Sequence, residues 1–138
     1  MKVVLIHGQN HHGTSCHMGR LLADSISSPE EQTEYFLPKD LNHFCTGCCR
    51  CLKAAEFCPF YSDKKRILDD MEAAEILIFT TPTYCMHASA PMKSFLDLTF
   101  TNWMVHSLWN PCFIRKPLFF PLLPELAPKQ PSRISEQL

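Results

Sequence analysis

Eight cysteines in a chain of 138 residues are the first chemistry to account for, and five of them fall between residues 45 and 58. Cys45, Cys48, Cys51 and Cys58 follow one another at spacings of x2, x2 and x6, and Pro59 follows the last. Short spacers let the backbone fold every sulfur inward, so four thiolates at this spacing can wrap one tetrahedral ion or one cubic cluster. Cys49 is then the spare thiol. Zinc fits the same four ligands, although structural zinc more often uses two well-separated pairs.

Two other segments have the make-up of ligand loops. Gly8-Gln-Asn-His-His-Gly-Thr-Ser15 joins an apolar run to a helical pattern. Backbone N–H groups and the positive end of a helix would face an anion there, with Gln9, His11, Thr14 and Ser15 as added donors. The spacing approximates a P-loop, but Thr14 stands where its Lys belongs, so a single phosphate fits better than a nucleotide β/γ-phosphate. The alternative is a polar turn with no ligand. His7, His11, His12 and His17 permit a metal in the same region, but no carboxylate is near in sequence and no zinc spacing is matched. In the second segment, Pro82 stiffens a turn whose backbone amides from Thr83 through Cys85 to Met86 are placed against a flat polar ring. Tyr84 and Met86 supply the apolar surface. The alternative is an ordinary strand-to-helix connection with Tyr84 as packing.

The elements that position these segments are legible from periodicity. Val3 to Ile6 is an uninterrupted apolar run, β-branched at three of four positions, as in a strand buried on both faces. Met18, Leu21, Leu22 and Ile26 recur at helical spacing, with Thr14 or Ser15 placed to cap the start. Thr33 to Leu37 predicts a second strand; Ile67, Leu68, Met71 and Ala74 predict a helix with Asp63 near its start. Ile76 to Thr80 repeats the buried-strand pattern. A third helix is predicted from Ser89-Ala90-Pro91 through Met92, Phe95 and Leu96. Alternating strands and helices imply an α/β fold with a parallel sheet, whose ligands sit beyond the carboxyl ends of the strands.

Thirteen Lys+Arg against 14 Asp+Glu give a net charge of −1, which removes the electrostatic case for nucleic acid or an anionic membrane as partner. No apolar run approaches the roughly 20 residues of a membrane span, and no signal peptide opens the chain, so a cytoplasmic location is expected. All four Gly lie at or before Gly47, while six of 11 Pro lie at or after Pro111. Residues 1–110 therefore read as one partial domain and 111–138 as a proline-rich atypical tail. Pro117, Pro121 and Pro124 bar the tail from a helix or a central strand.

Val3-Val-Leu-Ile-His-Gly8 with its Ser/Thr-bearing loop, Cys45-Thr-Gly-Cys-Cys-Arg-Cys51, and Thr81-Pro-Thr-Tyr84 followed by Ser89-Ala-Pro-Met-Lys-Ser-Phe-Leu-Asp97 resemble the flavodoxin-like NAD(P)H-dependent FMN reductases, including the iron-sulfur flavoproteins. The resemblance implies an open parallel sheet with helices on both faces. It also implies FMN as cofactor, its phosphate held by Gln9, Asn10, His11, Thr14 and Ser15 and its ring beside Pro82, Thr83, Tyr84, Cys85 and Met86. NAD(P)H would be the hydride donor, and a quinone, a flavin or another small molecule the acceptor. The cysteine spacing resembles that of a four-iron four-sulfur site, although such relatives also keep similar cysteines as buried thiols. Where the family has Gly-Ser-Pro-Arg, this chain continues Gly8 with Gln9, Asn10 and His11, which implies weaker or more pH-dependent phosphate affinity. No catalytic acid or base is implied. Relatives are often dimers, and Phe100, Trp103 and Trp109 suit such an interface.

The family's fourth strand, glycine-rich loop and fifth strand do not follow. Residues from Lys116 can be back-translated so that a one-base shift reads Lys-Ala-Val-Val-Phe-Ser-Thr-Thr-Ala-Gly-Ala-Gly-Thr-Lys-Ala-Ala. We therefore expect a frameshift near Arg115, leaving strands four and five missing or replaced and strand three a raw edge. An iron-sulfur electron carrier and a cofactor-free remnant are the alternatives to an FMN-dependent reductase.

Overall fold

The structure, a computed structural model, describes residues 1–103 and 117–121. Elements follow in the order β1 (Val3–His7), α1 (Thr14–Ile26), β2 (Gln32–Phe36), α2 (Tyr61–Ala73), β3 (Ile76–Thr81), β4 (Thr83–Tyr84), β5 (His87–Ala88), α3 (Ala90–Leu98), α4 (Phe100–Trp103) and β6 (Pro117–Pro121). Four strands form one sheet in the order β2-β1-β3-β6. All its pairs are parallel, with Val3 opposite both Gln32 and Ile76, and Leu77 opposite Pro117.

Strand alternation divides the core in two. Val3, Leu5 and Ile78 face α1 and pack with Ala23, Leu22 and Ile26. Val4, Ile6, Tyr35, Leu77 and Phe79 face the other way and pack with Ile67 and Met71 of α2 and Met92, Phe95 and Leu98 of α3. Every residue of β1 is buried, as the unbroken apolar run predicts, because helices cover both faces. Each such Leu or Ile contributes about 2 kcal/mol of transfer free energy. Gly19 allows α1 to lie close on the sheet: a Cβ there would sit 2.5 Å from the Thr80 methyl carbon. The flavodoxin-like α/β expectation stands.

Several local expectations are corrected. Neither Thr14 nor Ser15 caps α1; the N-cap is Gly13, and no side chain bonds the first turn. The second strand ends at Phe36, and Leu37 instead donates its N–H to the His7 carbonyl at 2.8 Å. Residues 83–88 form a small antiparallel hairpin, β4 with β5, which periodicity over two-residue strands cannot register. β3 is not a raw edge, because β6 pairs with it. Pro117 and Pro121 terminate β6 at the sheet margin, where proline is tolerated. The rest of the 111–138 tail, and Trp109, lie outside the described residues. No helix among the described residues is long and apolar enough to cross a membrane.

Candidate functional site

Because β1 and β3 are adjacent and parallel, the loops that follow them open at the same end of the sheet. Their bases are tied together. The Gly8 N–H donates to the Thr80 carbonyl at 2.7 Å, and the Ser89 hydroxyl donates to the Gly8 carbonyl at 2.5 Å. The Ser89 N–H in turn donates to Thr81 Oγ1 at 2.9 Å. A Cβ on Gly8 would lie 2.6 Å from Ser89 Oγ and 3.0 Å from Met92 Cβ, so only glycine permits this approach. Ser89 also caps α3 by accepting from the Met92 N–H, as the Ser-Ala-Pro pattern predicts.

The first loop folds tightly on itself, with Gly13 N–H donating to the His11 carbonyl at 3.0 Å. The His11 ring occupies the space beside Gly13. Gln9 is buried, while Asn10, His11 and Thr14 are exposed and Ser15 is half-buried. Asn10 Oδ1 accepts from the Lys39 N–H at 3.2 Å and so ties the loop to the segment after β2. With no side-chain cap and no acidic residue in its first turn, α1 presents its leading N–H groups without a side-chain acceptor. That end has the donors and the partial positive charge an anion needs, so the residues fit a phosphate.

His7, which the sequence marks as the end of a strand and as one of four histidines that permit a metal, is the last residue of β1, at the base of this loop. It is fully buried. Its Nδ1 is 2.7 Å from Thr80 Oγ1, its ring stacks on Phe36 with centroids 4.6 Å apart, and its Nε2 lies 3.8 Å from Glu34 Oε2. Nε2 has no hydrogen-bond partner among the described residues. Glu34 is occupied by Arg20, whose Nε and Nη2 approach its two oxygens at 2.8 and 2.7 Å. Burial lowers the His7 pKa to about 4, against the opposing pull of Glu34. In the neutral ring one nitrogen donates and the other accepts, and the tautomer sets which of Nδ1 and Thr80 Oγ1 is the donor. The sequence signals were a histidine closing a buried run and its place among four histidines, which form no metal-holding group among the described residues.

The second loop is the hairpin. Thr83 and Tyr84 pair with Ala88 and His87, and Cys85 and Met86 form the turn with φ of +48° and +66°. Pro82 is half-buried, and Thr83 and Cys85 are exposed. Tyr84 is 55% and Met86 91% exposed, so the tip carries an unpacked aromatic and an unpacked thioether. Their exposure at the same end of the sheet as the first loop fits a flat ring with a phosphate tail. A separate apolar trough of about 210 Å3 runs along α1 between Met18, Leu22 and Ile78 and does not include the hairpin.

Cys45, Cys48, Cys49, Cys51 and Cys58 line one cavity of about 100 Å3, closed by Phe60, Leu98 and Phe100. Gly47 and Cys49, at φ of +67° and +54°, make the reversals that bring the thiols round. The cysteines are unpaired among the described residues. No three of them stand at metal-ligating distance there, so the thiols share a cavity without forming a closed ligand set. Hydrogen bonding from the Arg50 backbone lowers the Cys48 pKa. Burial raises that of Cys51, with Lys64 the main opposing influence. Five soft donors on one small cavity fit a thiolate-bound cluster or ion by donor chemistry.

A parallel α/β sheet with an uncapped helix end and an exposed aromatic hairpin at one carboxyl edge defines a flavodoxin-like protein. The chain belongs to the NADPH-dependent FMN reductase family, whose model matches residues 1–120. It is also similar to an iron-sulfur flavoprotein of Archaeoglobus fulgidus, 26% identical over 98 residues, covering 70% of this chain and 48% of the relative. The chain thus spans about half the length of the curated relative it matches.

Proposed function

We propose that the chain binds FMN across the crest formed by residues 8–15 and the hairpin at 82–88, and acts as an NAD(P)H-dependent oxidoreductase. Bound there, FMN would supply the redox chemistry between NAD(P)H and a quinone, a flavin or another small acceptor. The protein's part is binding and orientation. The leading N–H groups of α1, with Thr14 and Ser15, hold the phosphate. His11 and Asn10 border it, and Gln9 supports the loop from beneath. Tyr84 and Met86 give the ring its apolar contact, with Pro82, Thr83 and Cys85 setting the tip. The observation that carries this reading is the uncapped start of α1 beside the exposed hairpin, both anchored through Ser89.

Fluorescence titration of the full chain with FMN and with riboflavin tests it. FMN should be quenched and bind about tenfold or more tighter than riboflavin, as a few charge-assisted hydrogen bonds to the phosphate require. Equal affinities would remove the phosphate role of residues 8–15. No quenching by either would sink the reading and favour a cofactor-free remnant.

A second reading, an iron-sulfur flavoprotein that relays single electrons, is favoured by the cavity shared by Cys45, Cys48, Cys51 and Cys58 and by the similarity to a flavoprotein of that name. Protein purified without oxygen should then show a broad visible band and labile sulfide beside the flavin. A flavin spectrum alone returns the case to the simple reductase.

A further inference from the structure

Lys64 lies in the second turn of α2 and is 2% exposed, while its neighbours Lys65 and Arg66 face solvent. Its Nζ donates to the Leu98 carbonyl at 2.7 Å, at the C-terminal end of α3. Lys65 and Lys93 each pair with a carboxylate one helical turn away. Lys64 has no such ion pair among the described residues. A buried ammonium with one carbonyl is an expensive arrangement, which a helix end offsets only in part. Both backbone partners of Lys64 belong to residues that line the cysteine cavity: Leu98, and Phe60, whose carbonyl accepts the Lys64 N–H at 3.2 Å. Arg50 and Lys53, near the same cysteines, are exposed and screened by water.

We propose that Lys64 is the buried countercharge of the cysteine cavity, a positioning residue that holds an anionic thiolate centre from behind the Leu98 wall. The proposal rests on the reading of Cys45, Cys48, Cys51 and Cys58 as ligands. Four thiolates around a divalent ion leave a charge of about 2−, and around an oxidised four-iron four-sulfur core the same. One-electron reduction of the cluster, by dithionite in a titration, adds one more negative charge. A fixed positive charge held out of water at Lys64 favours both assembly and the reduced state, acting on a centre whose Cys51 and Cys58 side is half-buried and whose Cys45 and Cys48 side faces solvent. A lysine that only capped α3 would affect neither.

The test uses the full chain, purified without oxygen, with cobalt(II) as one probe and iron plus sulfide as the other. The parent chain should bind cobalt with thiolate-to-metal absorption. Lys64→Gln keeps a donor for Leu98 but no charge, and should weaken cobalt binding about tenfold or more and shift the cluster's midpoint potential to more negative values. Lys64→Arg, which keeps the charge, should stay close to the parent in both. Should the Gln variant not fold, Lys64→Met fills similar volume without charge and gives the same two readings. Neutral variants with unchanged cobalt affinity and midpoint, and only a lowered unfolding temperature, would overturn the proposal and leave Lys64 as a helix cap. A parent chain that takes up neither probe would instead remove the thiolate centre itself, and the countercharge with it.

Discussion

At the last position of β1 the side chain is an imidazole rather than an aliphatic group, and burial sets its chemistry. Glu34 would favour a charged ring, but Arg20 occupies both its oxygens and, with His12, opposes protonation. Desolvation therefore wins, and the His7 pKa falls from 6.5 to about 4. In the unfolded chain the same residue takes up its proton first. Its contribution to stability is thus complete above about pH 6.5 and is lost as pH falls from there towards 4. With each tenfold change in proton affinity worth about 1.4 kcal/mol, this residue should account for about 3 kcal/mol across that window. Urea unfolding of the parent and of His7→Asn at several pH values checks it, the variant losing that slope. Equal slopes would mean that folding leaves the His7 pKa at its unfolded value. Glu34, its pKa lowered chiefly by the Arg20 hydrogen bonds, adds a loss at pH values below its ordinary 4.5.

The helices and the hairpin differ in how completely their ends are satisfied. Ser89 closes α3 and at the same time holds Gly8, so this cap also positions the first loop. The start of α1 has no side-chain cap, which for a helix of 13 residues leaves a place for a ligand. Between β4 and β5 the chain turns on Cys85 and Met86, both in the left-handed region that non-glycine residues enter at a cost of about 1 kcal/mol each. Two-residue turns of this kind favour Asn-Gly. Replacing Cys85→Asn together with Met86→Gly should therefore raise unfolding stability by about 1 kcal/mol, because Met86 is almost wholly exposed and has little packing to lose. A calorimetric midpoint that stays put or falls would show that these side chains contribute contacts outweighing the strain. Flavin affinity should drop in the same variant, since Met86 supplies apolar surface in the proposed site.

At the scale of the whole molecule, β6 covers the edge of β3 by pairing with Leu77 to Thr81. Without it that row of backbone groups would be an open template for another chain. A chain ending at residue 116 should self-associate in light scattering at concentrations where the full chain does not. A monodisperse shortened protein would show that the β3 edge is protected by other means. Apolar runs, helical spacing and the Ser-Ala-Pro cap are local patterns, and they alone determined β1, β3, the three longer helices, the two loops that share the sheet's carboxyl edge and the cysteine spacing. Only the tertiary structure decided that His7 meets Thr80 from 73 residues away, that Lys64 reaches Leu98 from 34 away, and that β6 lies against β3. The hairpin turns without glycine, and the proline-bounded β6 follows no apolar alternation, so neither carried a local signal. Partners far apart along the chain are chosen by packing and by the burial of polar groups, and no short window of sequence contains both sides of that choice.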